Sequence, residues 1–272
     1  MNGKVDLSWI LIMIAIGVLL GVASGFTGIS AVNLIVPVLI LIFSLNILVS
    51  LGTSLLIDCI SAGIVTYLYY RHDNVDFRMG VKMGLISFSF AILGAFIAHN
   101  IPEQILTNSF GFFQIIIGAT FIYRGVKRSE EPETGHLGRP KLAIMLDKVP
   151  DKYKEVIIII ASIFLGLIGG IFGAGGGFMI TFILIFLFSF ESHKAVGTAC
   201  LVMLFTASGG FIYYCIRGNV DFSIGSIIGI FCIVGAVLGT LIAHKLSEKY
   251  LTIALGIIIV LFGTILVCFE LL

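Results

Sequence analysis

The sequence predicts an all-α polytopic membrane protein built from two inverted-topology repeats of about five helical segments each. Its composition, a series of apolar segments and an internal repeat lead to this prediction. Hydrophobic residues make up 59% of the 272 residues, charged residues 11%, and the mean hydropathy is +1.16. Such a chain cannot bury its apolar surface in a water-soluble globule, so we expect it to be embedded in a lipid bilayer. The net charge of +1 leaves no basic footprint for a nucleic acid.

Ten apolar segments follow one another in two groups of five. They cover about 9–24, 31–46, 48–70, 79–98 and 105–125, then 155–172, 178–190, 195–216, 225–244 and 250–270. Continuous apolar runs are typical of membrane helices, whereas barrel strands alternate. The intervening stretch, Arg124 to Lys154, carries eight of the sixteen Lys and Arg residues and three of the five prolines, which indicates an aqueous linker. The predicted division is a first repeat at 1–125, a linker at 126–153 and a second repeat at 154–272.

The two groups are related by a constant offset of 145 residues, without a gap. The offset pairs Gly21 with Gly166 and Gly25 with Gly170, and it aligns Asn74-Val75-Asp76-Phe77 with Asn219-Val220-Asp221-Phe222. Four identical loop residues in register with matched glycines on both sides indicate an internal duplication. The Asn and Asp side chains of these loops are expected to cap the following helices.

Loop charges predict that the second repeat is inverted relative to the first. Lys and Arg are retained on the cytoplasmic side, so the linker and the loop near Arg71, Arg78 and Lys82 are expected inside. The equivalent loop, 217–224, then falls outside. We therefore expect a multi-pass protein of the cell (inner) membrane, with a cytoplasmic linker and both termini extracytoplasmic. The first two segments of each repeat are short, and either two tilted spans or a re-entrant hairpin preserves this topology.

Glycine interrupts the apolar pattern at equivalent places in the two repeats, in Gly21–Ser30 and in Gly169–Gly177. Short, broken helices in inverted repeats are the pattern of a transporter site near the membrane midplane. Amides freed at the following helix starts favour an anion. The predicted substrate-binding glycines are Gly28, Gly173, Gly175, Gly176 and Gly177. Close helix packing is the alternative for glycines spaced i, i+4, i+7.

Hydroxyl and amide side chains near these breaks extend the predicted substrate site. Thr53, Ser54 and Thr198 lie in the repeated Gly-Thr motifs at the start of the third helix of each repeat, and Ser30 and Asn33 follow the first break. Each hydroxyl is a candidate donor to an oxyanion. The alternative is that each bonds a carbonyl of its own helix.

Asp58 is an acid well inside an apolar run, and intramembrane acids are candidates for function. It shares a helical face with Ser50, Ser54 and Ser61, and its repeat partner is Met203. We interpret Asp58 as a proton-coupling carboxylate, with a structural acid bonded to neighbouring hydroxyls as the alternative. His99, at a helix end, is expected to have an interfacial role. The five cysteines lack metal-ligand spacing, so we predict neither metal nor cofactor.

The glycine pattern G-x-x-x-G-x-x-G-x-G-G-G at Gly166–Gly177, followed by Lys194-Ala195-Val196-Gly197-Thr198, resembles the TauE/SafE family of sulfite exporters and related permeases. Gly21–Gly28 and Gly52-Thr53-Ser54 repeat it in the first half. The resemblance implies transport of sulfite, sulfonates or related organosulfur anions, driven by an ion gradient. The chain departs from the family pattern at Ser30, where the glycine run is expected, and at Phe182, which replaces the usual proline.

We therefore expect a secondary transporter (permease) of a small anion that works by alternating access with proton coupling, one repeat rocking against the other. A passive anion channel is the first alternative and an intramembrane enzyme the second. The sequence has no H-E-x-x-H motif and no second acid to pair with Asp58 inside the membrane, so no enzyme is predicted. A homo-oligomer is left open.

Overall fold

The computed structural model describes residues 7–27, 30, 32–127, 151–173, 177–188, 190–242 and 248–271. These residues form ten helices, so the ten predicted segments are confirmed. The helices are α1 Leu7–Thr27, α2 Val32–Leu41, α3 Ile47–Tyr70, α4 Phe77–His99, α5 Glu103–Lys127, α6 Asp151–Phe172, α7 Gly177–Phe188, α8 Ser192–Ile216, α9 Phe222–Ile242 and α10 Glu248–Leu271. Within the described ranges, six helices are long and apolar enough to cross a membrane: α3, α4, α5, α6, α8 and α9. The protein is a polytopic, multi-pass membrane protein.

The second helix of each repeat is too short to span a bilayer. α2 has 10 residues and α7 has 12, which corresponds to about 15 and 18 Å of helix, roughly half of the hydrocarbon core. α2 ends at Leu41, before the end of the predicted segment 31–46, because Ser44 adopts a left-handed φ of 52°. The same terminal bond closes both short helices, from Leu45 N to Leu39 O and from Phe190 N to Leu184 O, each at 3.1 Å.

Contacts between helices show that the repeats are inverted. Thr53, near the start of α3, bonds to Asp221 just beyond the end of α8, so these two helices are antiparallel. The reverse contact, Thr198 to Asp76, has the same geometry at the other end. Equivalent helices of the repeats therefore run in opposite directions, as the loop charges predicted.

The glycine stripes of α1 and α6 bring two helix pairs into backbone contact. A Cβ atom on Gly21 would overlap the carbonyl of Cys232 in α9, and one on Gly166 would overlap the carbonyl of Ser87 in α4. Gly25 and Gly170 make the equivalent contacts one turn further along. The packing interpretation is therefore confirmed for these four glycines.

The first helix of each repeat packs against the fourth helix of the other repeat. As a result, one buried apolar cluster joins α1, α2, α3 and α9, and another joins α4, α6, α7 and α8. The two bundles meet along the antiparallel pair α3 and α8. A second antiparallel pair, α5 and α10, is held by close glycine contacts from Gly111 to Gly263 and from Gly118 to Gly256. The packing units thus cross the boundary between the sequence repeats.

Candidate substrate and coupling site

The two helix breaks meet on one face of α3. Ser30, between α1 and α2, donates its hydroxyl hydrogen to Asp58 Oδ2 near the middle of α3. Gly173 ends α6 with a φ of +64°, and a Cβ there would lie 3.0 Å from Leu51 Cδ2 and 3.4 Å from Ser54 Oγ. Ser30 therefore lies beside the middle of α3, and whether α1 and α2 form a re-entrant pair or two tilted spans stays open; we call each broken pair, α1–α2 and α6–α7, a hairpin. Both hairpin tips therefore reach the level of Ser54 and Asp58.

Asp58 lies in a fully buried polar face. Ser54, Asp58 and Ser61 are 0% exposed and Ser30 is 3% exposed. The Ser30 hydroxyl also accepts a hydrogen bond from Val32 N at 3.3 Å, so the residue that contacts Asp58 also caps the start of α2. This geometry links the carboxyl group to the first turn of the short helix. Ser30, which belongs to the hairpin, donates one hydroxyl to Asp58, and proton coupling stays a prediction.

Ser54 lies at the meeting point of the breaks, as its predicted role requires. Its hydroxyl donates to Leu51 O of its own helix at 2.7 Å, which is the bond that the alternative interpretation describes. The same oxygen lies 3.4 Å from the position that a Cβ on Gly173 would occupy. A substrate role for Ser54 thus requires the hydroxyl to rotate away from Leu51 O.

Asn33 is buried in the first turn of α2 and connects the hairpin to α5. Its backbone carbonyl lacks the usual helical donor, because residue 37 is proline and has no N–H. Gln114 of α5, which is 0% exposed, donates its side-chain amide to this carbonyl at 2.7 Å. The proline thus creates an unpaired acceptor, and the glutamine satisfies it.

Thr53 and Thr198 connect the repeats at opposite ends of the α3–α8 pair. The amide of Asp221 donates to Thr53 Oγ1 at 2.9 Å, and the amide of Asp76 donates to Thr198 Oγ1, also at 2.9 Å. Neither the substrate interpretation nor the bond to a carbonyl of the same helix describes this arrangement. We call these two bonds the latches. Binding of the substrate by Thr53 and Thr198 stays a prediction.

Two further contacts accompany each latch: a glycine beside the threonine packs against the loop, and the latch aspartate caps the following helix. A Cβ on Gly52 would overlap Asn219 O, and one on Gly197 would overlap Asn74 O. The predicted caps are confirmed for the two aspartates, since their side chains accept from Met79 N at 3.0 Å and from Ile224 N at 2.9 Å; no cap by Asn74 or Asn219 is described. The Asn and Asp residues of the repeated Asn-Val-Asp-Phe loop thus have structural contacts in both repeats. His99 lies at the same end as Asn219, with Nδ1 3.4 Å from its Nδ2.

Three predicted glycines, Gly28, Gly175 and Gly176, lie outside the described residues. Gly177 is described as the first residue of α7, and its carbonyl accepts from Thr181 Oγ1 at 2.8 Å. α7 therefore starts four residues after Gly173. Anion binding by the glycine amides of this break stays a prediction.

Ser24 and Gln114 belong to the first break, and the sequence reasoning missed both. Ser24 lines a small cavity with Ser30 and Leu34. Among the described residues, Ser24 Oγ, Asn33 Oδ1 and Gln114 Oε1 are buried without a hydrogen-bond partner. A glutamine inside an apolar span is itself a signal, because a buried amide is costly. Its repeat partner, Ile259, is apolar.

The polar groups at this site can form hydrogen bonds with a polar ligand. In the part of the chain that the structure describes, no group of three or more His, Cys, Asp and Glu residues is placed to hold a metal ion. The side chains at the meeting point are hydroxyl, amide and carboxyl groups. Together with the helix starts that follow the breaks, they form a buried polar region with both donors and acceptors.

Known proteins that resemble this chain are membrane proteins of one family. The profile of the family described as sulfite exporter TauE/SafE matches residues 13–266. The probable membrane transporter protein YunE of Bacillus subtilis is 22% identical, covering 93% of this chain and 95% of that protein. A probable membrane transporter protein of Methanocaldococcus jannaschii is 27% identical, covering 93% of each. Sulfite exporter TauE/SafE family protein 1 of Arabidopsis thaliana is 25% identical over 42% of this chain and 26% of that protein. No solved structure gives a significant match.

Proposed function

This chain belongs to the sulfite exporter TauE/SafE family, and from that premise we propose that it is a secondary transporter of a small anion of the sulfite or sulfonate class. Relatives that align with nearly its whole length are named membrane transporters. The Arabidopsis relative carries sulfite export in its name. These names support the substrate class, and the geometry of the breaks supports the mechanism.

The observation that carries the proposal is the convergence of the two hairpin tips on Ser54 and Asp58. Half-helices that start near mid-depth direct free amides and the positive ends of their dipoles at a common point. An oxyanion held there accepts from the amides of α2 and α7 and from the hydroxyls of Ser30 and Ser54. The predicted glycine ligands complete the set on the side of the second break. Asp58 takes up the coupling proton.

The exchanged packing of the helices supports a modified form of alternating access. Rocking one whole sequence repeat against the other would separate the glycine contacts of α1 with α9 and of α4 with α6. We propose instead that the bundle α1, α2, α3, α9 moves against the bundle α4, α6, α7, α8 about the α3–α8 contact. Each bundle carries one hairpin, so the motion opens the site first to one side and then to the other.

We place the linker and the start of α6 on the cytoplasmic side. Lys82 of α4 and Glu155 of α6 form an ion pair at 2.7 Å at this end of the bundle. The loop charges, which favour the cytoplasm for Arg71, Arg78 and Lys82, support the same orientation. Both termini are then extracytoplasmic.

The proposal is tested by uptake into proteoliposomes that contain the full chain. Sulfite, thiosulfate and methanesulfonate serve as probes, and accumulation against a concentration gradient separates a transporter from a passive anion channel. Ser54→Ala is expected to raise the KM about 10- to 100-fold, since a hydrogen bond to a charged group is lost. Ser162→Ala is the matched control. Ser162 is also a buried serine that donates to a carbonyl of its own helix, Ile158 O at 2.7 Å, but it is not at the breaks.

Two results would contradict the proposal. Equal KM values for the two serine variants would show that the site is elsewhere. Flux of the probes that never exceeds the imposed gradient would favour the passive channel.

A further inference from the structure

We propose that the protein carries its anion and a proton in the same direction, as a proton–anion symporter, with the neutral carboxylic acid of Asp58 carrying the proton. This inference rests on the proposed function and adds the sign of the coupling. It follows from the position of Asp58, since the carboxyl group occupies the meeting point that the anion also needs.

The carboxyl group and the anion site share one hydroxyl group. Ser30 donates to Asp58 Oδ2, and the amide of Val32, in the first turn of α2, lies 3.3 Å from the same hydroxyl oxygen. Ser54, beside the second break, is one helical turn from Asp58, which separates the two Cβ atoms by about 6 Å. An oxyanion bound between the helix starts is therefore a near neighbour of the carboxyl group.

Electrostatic repulsion decides which form of Asp58 accepts the anion. Asp58 is 0% exposed, and two negative charges in a buried site repel strongly because little water screens them. The carboxylate therefore excludes the anion. The neutral acid removes this repulsion and offers an O–H donor to the oxyanion. Each ligand then favours binding of the other, and this linkage is reciprocal.

The Ser30 hydroxyl strengthens the same linkage. It has one hydrogen to donate, and in this structure the acceptor is Asp58 Oδ2. A carboxylate is the stronger acceptor for that hydrogen, and protonation of Asp58 weakens it. Protonation thus releases Ser30 to donate to the anion. The empty, ionised site and the loaded, protonated site are the two stable combinations.

Three thiols of the described residues lie around Asp58. Cys59 of α3, Cys200 of α8 and Cys232 of α9 lie within electrostatic reach of the carboxyl group. Thiols are uncharged near neutral pH, so they neither neutralise the anion nor release protons in that range. The carboxyl group is then the carrier of the proton.

The test measures protons and anion together in proteoliposomes that contain the full chain and an internal pH-sensitive dye. Radiolabelled methanesulfonate is the probe, because this anion of a strong acid does not itself carry a proton. An inward methanesulfonate gradient is expected to acidify the lumen. With the membrane potential clamped to zero, an inward proton gradient is expected to drive accumulation up to about tenfold for each unit of pH difference.

A matched pair of variants separates coupling from binding. Asp58→Asn keeps a neutral hydrogen-bonding group but cannot release a proton, so we expect proton-driven accumulation to be lost while exchange of labelled for unlabelled methanesulfonate is reduced but still measurable. Met203→Leu alters the equivalent position of the second repeat, which is also fully buried, and is expected to keep both activities. The direction of proton movement in the unaltered protein is decisive even when the asparagine variant does not fold.

Alkalinisation of the lumen during anion entry would overturn the proposal, because it indicates antiport. Accumulation driven by membrane potential without proton movement would overturn it as well. Both results leave the transporter itself intact. Absence of flux for every probe would instead contradict the proposed function, which is a separate failure.

Discussion

The helix break of the first repeat is polar, whereas the corresponding region of the second repeat is apolar. Around the first break lie Ser30, Asn33, Pro37, Asp58 and Gln114. The equivalent positions of the second repeat hold Gly175, Phe178, Phe182, Met203 and Ile259. All five differences change hydrogen-bonding capacity or backbone freedom.

The frame around the breaks is nearly the same in both repeats. The latches have equal N to O distances of 2.9 Å. The latch loops also share their backbone, since Asp73 and Gly218 occupy the same left-handed position with φ of 56° and 72°. The glycine contacts of α1 with α9 recur between α6 and α4. The duplication thus preserved the contacts that build the fold.

This difference separates two requirements. A symmetric frame lets the two bundles exchange roles, which alternating access needs. The residues that bind the proton and the anion need not be alike in the two repeats, because the two ligands require different chemical groups. We therefore propose that coupling belongs to the first break, and we expect the substrate to be held mainly by the glycine amides of the second.

The largest effects on stability are expected at the glycine contacts that the two repeats share. Gly21→Ala and Gly166→Ala each place a Cβ against a backbone carbonyl, so the helices must separate. We expect each to cost about 2–3 kcal/mol of unfolding free energy. The measurement is unfolding of the purified protein in mixed micelles.

Gly63→Ala is the control for this pair. A Cβ there would lie 3.9 Å from its nearest described neighbour, Leu204 Cδ1, which is an ordinary contact. Alanine favours the helix more than glycine does, by about 1 kcal/mol, so this variant is expected to be slightly stabilised. A large loss for only one of Gly21 and Gly166 would show that the two glycine contacts are not equivalent.

A smaller effect on stability is expected at the Gln114 contact, which the second repeat lacks. Gln114→Leu removes the donor to the Asn33 carbonyl and is expected to cost about 1–2 kcal/mol, since a buried acceptor is left unpaired. Pro37→Ala restores an N–H four residues after Asn33. In that background the cost of Gln114→Leu is expected to fall by at least half. A double-mutant cycle on unfolding free energies measures this coupling.

Gln104→Leu is the control for the glutamine. Gln104 is exposed at the start of the same helix, and its replacement is expected to change stability by less than about 0.5 kcal/mol. Additive costs for the changes at Pro37 and Gln114 would contradict the account of this bond.

Much of the fold could be predicted because it depends on residue types at regular spacing. Hydropathy located the ten helices, and the 145-residue offset with the loop charges predicted the inversion. The end of α2 was harder to predict from the sequence, because the residues from Ile42 to Leu45 are as apolar as the helix before them. The left-handed Ser44 lies just beyond that end.

The contacts inside the site were less predictable. Ser30 and Asp58 were each selected from the sequence, but their mutual bond depends on how the hairpin folds back. The latches join residues 122 and 168 positions apart, and no local pattern carries such pairings. Gln114 was missed because one amide hardly lowers the hydropathy of its span. The sequence did carry one signal for this contact: Gln114 and Pro37 occur together in the first repeat, and both are replaced in the second.

The smallest effects are expected from the latch threonines, and they separate two roles for the same residues. Thr53→Val and Thr198→Val each remove the acceptor of a loop amide, so each is expected to cost about 1 kcal/mol of stability, and an unchanged KM would limit both residues to this structural role. The costs should add, because the latches lie at opposite ends of α3 and α8. Thr206→Val is the control, since that hydroxyl bonds only Val202 O of its own helix, at 2.9 Å, among the bonds described. A raised KM at unchanged stability would instead support the predicted substrate role of Thr53 and Thr198, and it would move the anion toward the ends of the α3–α8 pair.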